Sequence, residues 1–309
     1  MPFISVVTPC YNEEENVEDL YAQVKQVLSS LPGYTYEHIF IDNASTDQTV
    51  SRLKSIAAQD ANVKIIVNVR NFGQIRSPYY AIFQAKGEAV ITMCADLQDP
   101  PPLLADFIQK WAEGYKVVMG VKSQSEEFFL LYILRTVYYQ TLKRLSDVDL
   151  VEHFTGFGLY DRQVVEALRS LDDPYPYFRG LIAELGYEHA LIPYRQPKRQ
   201  RGLTKNNIFT LYEMAMLGFT SHSRIPLRLA TLLGFIVAVF SVIVAAFYFV
   251  YKLLFWNNFT VGLAPLVIGI FFFSAVQMIF LGVLGEYIGA GYTQVLKRPL
   301  VVEKERVNF

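Results

Sequence analysis

A short acidic stretch in the first third of the chain carries the strongest chemical signal. In ITMCADLQDPPP, residues 91–102, the side chains of Asp96, Gln98 and Asp99 follow an apolar run with the composition of a buried strand. Carboxylates at the tip of a strand, on a loop stiffened by prolines, suit a hard divalent cation that in turn neutralises phosphate oxygens. A single Asp in this position is also typical of a helix cap, here for a helix that begins after Pro102. The stretch alone is therefore compatible with both interpretations, a metal site and a helix cap.

Three further polar loops are expected beside this stretch. They are TPCYNEE (residues 8–14), DNASTD with Asp42, and VRNFGQ with Arg70. Each follows a predicted strand, and ligands of open α/β sheets bind outside the carboxyl ends of the strands. The sequence contains none of G-x-G-x-x-G, G-x-x-x-x-G-K-[ST], H-E-x-x-H and G-x-S-x-G, the signatures of dinucleotide-binding, P-loop, metalloprotease and hydrolase sites. We therefore expect a ligand site at one sheet edge that belongs to none of these four classes.

The elements that must hold these loops alternate along the chain. Short β-rich runs are separated by amphipathic stretches, and the runs cover residues 4–9, 38–43, 63–69, 88–94 and 116–122. This alternation is typical of a parallel sheet covered by helices. Between residues 126 and 190 we expect mostly helix with a short strand at 156–160, followed by an edge strand at 187–195. The sequence thus predicts an α/β domain over residues 1–204.

The C-terminal third of the chain is apolar. Hydrophobic residues make up 52% of the sequence and charged residues only 18%, which is poorer in charge than the usual soluble domain. Residues 229–251 and 253–285 contain no charge, and about 20 apolar residues span a bilayer as a helix. Two buried helices of a soluble core are the alternative, but aromatic residues cluster at the ends of both runs, as in an interfacial belt. We predict two transmembrane helices, at about 229–251 and 263–285, in a membrane region of residues 229–309.

The flanking charges predict how this region is oriented. Basic residues lie on both outer flanks, for example Arg224 and Arg228 before the first helix and Lys297 and Arg298 after the second. By the positive-inside rule both flanks face the cytoplasm. The N-terminus shows no signal-peptide pattern. We therefore expect a multi-pass protein of the plasma membrane with its α/β domain and both termini in the cytoplasm.

The segment between the two regions, residues 205–228, has apolar residues at helical spacing. Such a helix either packs against the α/β domain or lies in the lipid interface, and both can hold.

The two cysteines, Cys10 and Cys94, form no CxxC or Cys/His cluster. Neither a disulfide framework nor a zinc site is therefore indicated.

The order and spacing of the motifs resemble the polyprenyl-phosphate glycosyltransferases of glycosyltransferase family 2. The motifs are SVVTPCYNEEEN, IDNASTDQT, RNFGQ, ADLQDPP, R-x-x-G-x-[ST]-K and, after the apolar helices, GVLGEYIG. This group includes bactoprenol glucosyltransferases and dolichyl-phosphate mannose synthase, and the resemblance covers essentially the whole chain. It implies a GT-A fold, Rossmann-like with a mostly parallel sheet. It also implies transfer of a sugar from a UDP- or GDP-linked donor to the phosphate of a membrane polyprenol, with inversion.

The resemblance also implies roles for individual residues. Asp96 would hold the metal, Mg²⁺ or Mn²⁺, that bridges the donor diphosphate, with Gln98 and Asp99 lining the sugar or metal site. The positions that match the nucleotide site are Pro9, Tyr11, Glu13, Asp42 and Arg70. Lys122 matches a phosphate ligand after the fifth strand, and Arg199 and Lys205 match a basic loop near the membrane that closes over phosphates.

Basic residues near a bilayer have a second use. KRQRGLTK, residues 198–205, would also be attracted to anionic lipid, at roughly 1 kcal/mol per basic residue. Both uses are compatible, and we expect a catalytic role only for Arg199 and Lys205. The expected partners are the nucleotide sugar, the polyprenyl phosphate, the bilayer and a further copy of the chain, with no nucleic acid.

Three positions depart from the family pattern. The D-x-D motif reads Cys94-Ala95-Asp96, the D-D-G-S loop reads DNAS at 42–45, and the G-D-F-R-L strand reads TGFGL at 155–159. One missing carboxylate need not abolish a Mg²⁺ site, because Mg²⁺ keeps several waters and uses one or two carboxylates. We expect Cys94 to be a reduced, packed side chain and not a nucleophile, because no nearby His or basic residue would lower its pKa. Because the Asp and Arg of the G-D-F-R-L strand are missing, the sequence does not predict which sugar is transferred.

Two other functions compete with an active transferase. One is a degenerate relative that binds nucleotide sugar or polyprenol without catalysis. The departures from the family pattern at Cys94 and Gly156 favour this alternative. The other is a processive polysaccharide synthase, which needs a Q-x-x-R-W motif and more membrane helices, and the sequence has neither.

Overall fold

A computed structural model describes residues 1–124, 150–197, 208–255 and 263–309 of the chain. The strands of this part are β1 (Phe3–Cys10), β2 (Thr35–Asp42), β3 (Val63–Asn68), β4 (Ala89–Thr92), β5 (Val117–Gln124), β6 (Phe154–Asp161), β7 (His189–Arg195) and β8 (Glu303–Val307). Its helices are α1 (Val17–Ser29), α2 (Thr49–Ala57), α3 (Gly73–Gln84), α4 (Leu103–Ala112), α5 (Arg162–Ser170), α6 (Phe178–Glu184), α7 (Ile208–His222), α8 (Ile225–Leu254) and α9 (Leu263–Leu296).

The strands form one mixed sheet in the order β7-β5-β6-β4-β1-β2-β3-β8. Its centre is parallel, with Val7 of β1 opposite both Ile39 of β2 and Thr92 of β4, and with β3 parallel to β2. Parallel strands end at the same edge, so the loops after β1, β2, β3 and β4 lie together there. The predicted α/β fold with converging loops is confirmed.

The helices cover both faces of the sheet. Buried side chains of α1, α2 and α4 belong to one core cluster, with Leu20, Leu53 and Phe107 as members. Buried side chains of α3 and α5 belong to a second cluster, for example Ile82 and Leu168. In α1 the buried residues are spaced at one face of a helix, namely Val17, Leu20, Val24 and Leu28. This periodicity made the helix recognisable in the sequence.

The second half of the sheet contains an antiparallel strand, in agreement with the prediction of a mostly parallel sheet. The expected strand at 156–160 exists as β6, and it runs antiparallel between β4 and β5. The fourth strand ends at Thr92, two residues earlier than expected, because the chain turns there toward the acidic loop. The prediction of mostly helix over 126–190 falls partly on residues 125–149, outside the described residues, as does the boundary at 204/205.

The C-terminal tail returns to the sheet after the two apolar helices. β8 pairs antiparallel with β3, with Val307 opposite Ile65. Lys54 Nζ lies 2.7 Å from Glu305 Oε2, and the side chain of Asn308 donates to the carbonyl of Val63 at 2.9 Å. This strand was not predicted from the sequence.

Helices α8 and α9 are long and apolar enough to cross a membrane, judged by length and composition over Ile225–Tyr251 and Ile268–Leu296. Large apolar side chains along them, such as Phe235 and Phe271, are exposed. Both helices extend beyond the predicted limits. Residues 256–262 of the predicted loop between them lie outside the described residues.

Helix α7 follows the α/β domain and precedes α8. Its Leu217 and Phe219 pack against Leu150 and Tyr177 of the domain. Packing against the domain, one of the two expected uses of this segment, is therefore confirmed for the described part of the helix.

Candidate functional site

A cleft of about 890 Å³ opens at the edge of the sheet where the four parallel strands end. Six of the predicted site residues line it, and they are Pro9, Tyr11, Glu13, Asp96, Gln98 and Asp99. The loops after β1 and β4 thus come together as the sequence predicts. The volume lies within the usual range of ligand pockets, roughly 300–1,000 Å³.

Asp42 organises two of the loops and is not among the residues that line the cleft. Its carboxylate is fully buried and accepts hydrogen bonds from the backbone N–H of Ser45 at 2.9 Å and from the Ser45 hydroxyl. The oxygen of that hydroxyl in turn accepts from the backbone N–H of Asn12 at 2.8 Å. Burial raises the pKa of Asp42. The loop after β2 is thereby fastened to the loop after β1, which carries Tyr11.

Asn43 joins the loop after β2 to the loop after β3. Its amide donates to Oδ1 of Asn71 at 2.8 Å and to the carbonyl of Gly73 at 3.1 Å, and its oxygen accepts from the N–H of Phe72 at 2.9 Å. Asn43 and Asn71 both line the cleft. In the sequence, Asn43 stands out only as a departure from the family pattern, and no role was predicted for it.

Arg70 is exposed and is not part of the cleft lining. Its guanidinium lies 4.1 Å from the centre of the Phe72 ring and donates to the carbonyl of Asn71 at 3.1 Å. The predicted basic residue of this loop therefore stands beside cleft residue Asn71, held by its own loop.

The acidic loop folds back on itself. Leu97 has a φ of 58°, the left-handed region, which reverses the chain so that Asp99 reaches the backbone N–H of Cys94 at 2.9 Å. Burial raises the pKa of Asp99. Helix α4 has Pro102 at its N-cap position and no side-chain cap. The alternative that Asp96 caps this helix is therefore wrong.

Asp96 is partly exposed in the cleft, and its Oδ1 accepts from the N–H of Gln98 at 3.2 Å. The part of the chain that the structure describes contains no group of three or more His, Cys, Asp or Glu side chains arranged to hold a metal ion. The partly exposed carboxylate of Asp96 is a hard oxygen donor of the kind that divalent cations bind.

Cys94 is exposed in the cleft, so the expectation that it is packed is wrong. Neighbouring atoms nevertheless desolvate its sulfur, and this effect, followed by the charges of Asp99 and Asp96, raises the pKa of the thiol well above its ordinary value. The thiol is thus kept protonated, in agreement with the prediction that it is not a nucleophile.

The end of β7 contacts the acidic loop. The hydroxyl of Tyr194 donates to Oδ1 of Asp99 at 3.1 Å, and the amide of Gln98 donates to the carbonyl of Pro197 at 3.4 Å. Lys122 lies opposite Tyr194 in the β5–β7 pairing and is not part of the cleft lining. Its positive charge lowers the pKa of Asp99 and so offsets part of the increase that burial causes. Arg199 and Lys205 lie outside the described residues.

One wall of the cleft is apolar, and it was not predicted from the sequence. It is formed by side chains from α3, from the start of α6 and the turn before it, and from α7, namely Tyr79, Pro176, Phe178, Met214 and Leu217. Arg179 lies within this region, with its guanidinium 5.3 Å from the centre of the Tyr177 ring. The polar loops and a helix that leads into the apolar pair thus share one cavity.

The chain is similar to known proteins in sequence and in structure. The family model described as glycosyl transferase family 2 matches residues 5–169. An uncharacterized glycosyltransferase of Synechocystis sp. is 35% identical over 96% of this chain and 93% of its own length. A bactoprenol glucosyl transferase of Shigella phage SfII is 33% identical over 98% and 97%. Glucosyl-3-phosphoglycerate synthase of Mycobacterium tuberculosis, solved with Mn²⁺, UDP-glucose and phosphoglyceric acid, aligns with a TM-score of 0.48 and 20% identity over 71% of this chain and 78% of its own.

Proposed function

The chain belongs to glycosyl transferase family 2, and on that premise we propose that it transfers a sugar from a UDP- or GDP-linked donor to the phosphate of a membrane polyprenol, with inversion. One observation carries the proposal. The cleft that contains Asp96 has an apolar wall to which α7 contributes, and α7 leads directly into the exposed apolar helix α8. A polar sugar donor and a lipid acceptor need such a shared cavity. The name of the phage relative supports the same acceptor class.

The donor nucleotide occupies the side of the cleft formed by the loops after β1 and β2. Pro9, Tyr11 and Glu13 line that side, and Asp42 keeps the two loops together through Ser45. The network of Asn43 fixes the third loop against them. Because the backbone of these loops is already fixed, binding of the nucleotide costs little conformational entropy.

Asp96 would be the protein ligand for a divalent cation, Mg²⁺ or Mn²⁺, in the donor site. Its carboxylate is a hard oxygen donor that is partly exposed in the cleft. When bound, such a cation supplies positive charge to the departing diphosphate. Asp99 keeps the loop folded so that Asp96 and Gln98 face the ligand.

The acceptor phosphate is an anion at neutral pH and attacks the anomeric carbon without strong help from a general base. The protein must supply in-line positioning and positive charge. Arg179 supplies charge inside the cleft, and Lys122, Arg199 and Lys205 are further phosphate ligands in this proposal. Met214 and Leu217 of α7 hold the first apolar part of the acceptor.

Helices α8 and α9 cross the membrane in this proposal. β8 follows α9 and pairs with β3 of the α/β domain, which supports an even number of crossings with the domain and the C-terminal tail on one side. The basic residues on both flanks make that side the cytoplasm, and the membrane is the plasma membrane. We also infer that the enzyme assembles with further copies of itself.

A catalytically inactive nucleotide-sugar binder is the second candidate, because Cys94 stands where the family pattern has a carboxylate. Incubation of the purified protein with Mg²⁺ or Mn²⁺, undecaprenyl phosphate and a panel of radiolabelled UDP- and GDP-sugars separates the two. A lipid-linked sugar from any donor supports the transferase. Donor binding without a lipid product across the whole panel would leave only the inactive binder.

A further inference from the structure

Tyr194 lies on the edge strand β7, outside the cleft lining, yet it contacts the loop that carries Asp96. We infer that Tyr194 is a positioning residue for the donor site, whose hydroxyl fixes Asp99 and through it the loop of residues 94–99. The inference rests on the proposed function and adds to it a residue to which no sequence motif points.

The carboxylate of Asp99 is held from two sides. Oδ2 accepts from the backbone N–H of Cys94 at 2.9 Å, and Oδ1 accepts from the hydroxyl of Tyr194 at 3.1 Å. Asp99 is only 4% exposed. A buried carboxylate oxygen that loses its donor is costly to leave without a replacement. Without the hydroxyl, the acidic loop would therefore shift to bring Oδ1 a new donor or to expose it to water.

Tyr194 is itself held firmly enough to act as an anchor. It is 5% exposed, and its ring packs edge-on against Phe157 with 5.5 Å between the ring centres. Burial and the nearby charge of Asp99 raise the pKa of Tyr194, so the hydroxyl keeps its proton and remains a donor. The strand around it pairs with β5 along its whole length.

The same strand leads to the basic stretch of the sequence. A second hydrogen bond, from the amide of Gln98 to the carbonyl of Pro197 at 3.4 Å, joins the acidic loop to the chain just after β7. Residues 198–205, KRQRGLTK, follow immediately. The chain at the end of β7 therefore holds the acidic loop at two points, through the hydroxyl of Tyr194 and through the carbonyl of Pro197.

The test compares Tyr194→Phe with Tyr21→Phe in the full-length protein. The Phe variant at 194 removes the hydroxyl and keeps the ring. Tyr21 on α1 donates to the carboxylate of Asp60 at 2.8 Å, which is the same chemistry outside the cleft lining. UDP in the presence of Mn²⁺ serves as the probe of the donor site. We expect Tyr194→Phe to bind UDP roughly tenfold more weakly, with the KM for polyprenyl phosphate unchanged, and Tyr21→Phe to bind UDP as the wild type does.

Cys94 gives a second readout that does not depend on turnover. It is the exposed one of the two cysteines, because Cys10 is buried. Its backbone N–H is held by the carboxylate that Tyr194 anchors. We expect N-ethylmaleimide to alkylate Cys94 several-fold faster in Tyr194→Phe than in the wild type or in Tyr21→Phe.

Each outcome decides the inference. Unchanged UDP affinity and an unchanged alkylation rate in Tyr194→Phe would overturn it. Failure of Tyr194→Phe to fold, seen as loss of the wild-type melting transition, would overturn it too, because a hydroxyl that only positions a loop is dispensable for folding. If the wild type binds neither UDP nor GDP, the proposed function fails, while the alkylation rates still report on Tyr194.

Discussion

The backbone N–H of Cys94 donates a hydrogen bond of 2.9 Å to Oδ2 of Asp99, five residues further along the chain. This bond closes the loop that presents Asp96 to the cleft. Asp99 therefore sets the shape of the loop, and the placement of Asp96 in the cleft depends on that shape.

Replacement of Asp99 by Ala should destabilise the protein. The change leaves the N–H of Cys94 and the hydroxyl of Tyr194 without an acceptor, at a cost of about 3 kcal/mol in the free energy of unfolding. Urea unfolding followed by tryptophan fluorescence measures this. Asp106→Ala, at an exposed site on α4, is the matched control and should change the free energy by less than about 0.5 kcal/mol. Equal stabilities of the two variants would refute a structural role of Asp99.

Replacement of Cys94 by Asp should strengthen metal binding. The second carboxylate beside Asp96 adds a hard oxygen ligand where the thiol now stands. We expect the affinity for Mn²⁺ in the presence of UDP to rise about tenfold, measured by isothermal titration calorimetry. Cys94→Ser, which adds no carboxylate, should leave the affinity close to that of the wild type. A Cys94→Asp protein with wild-type affinity would show that position 94 does not face the metal.

Stability should fall in mild acid through His38. Burial lowers the pKa of His38 in the folded protein to about 3, while the unfolded chain has an ordinary value of about 6.5. Between these values the unfolded state binds a proton that the folded state does not, so the contribution of His38 is complete above pH 6.5 and decreases as the pH falls toward 3. At pH 5 the loss is about 2 kcal/mol.

Urea unfolding at pH 7 and pH 5 checks this dependence on His38. His38→Gln should lose less stability than the wild type between the two pH values. His189→Gln, an exposed histidine on β7, should behave as the wild type. An identical loss in His38→Gln and the wild type would mean that other groups account for it.

The return of the chain to the sheet predicts the membrane topology. With β8 beside β3, the C-terminus lies beside the α/β domain, and two membrane crossings would place the segment between α8 and α9 on the opposite side of the bilayer. In sealed inside-out vesicles, protease should remove a tag after Phe309 and spare a tag inserted between Asn257 and Asn258. Cleavage of both tags, or of neither, would contradict two crossings.

Local patterns in the sequence were sufficient for the central part of the fold. The apolar runs of β1 to β4 and the periodic helices between them predict a parallel sheet, and the parallel sheet brings Tyr11, Asp96 and Asp99 to one cleft. The strand β8 was missed because its sequence, EKERV, is almost wholly charged. Its contacts also join distant positions, since Lys54 and Glu305 are 251 residues apart.

The parts of the site that escaped prediction depend on tertiary contacts. Asn43 acquires its role from the register that brings Asn71 beside it. The apolar wall exists because α7 packs against the domain. A local sequence pattern predicts that a helix forms, but it does not predict where that helix packs. Tyr194 meets Asp99 across 95 positions of sequence. The sequence therefore predicted which polar loops meet, but not which residues hold them in place.

Direct detection of the lipid product tests the central proposal most sharply. Purified wild-type protein and Asp96→Asn are each incubated with Mn²⁺, the donor selected from the panel, and either undecaprenyl phosphate or undecaprenol, and the lipids are analysed by mass spectrometry. We predict undecaprenyl phosphate carrying one sugar from the wild type, at least a hundredfold less from Asp96→Asn, and no product from undecaprenol. Full activity of Asp96→Asn, or transfer to undecaprenol as readily as to its phosphate, would contradict the account.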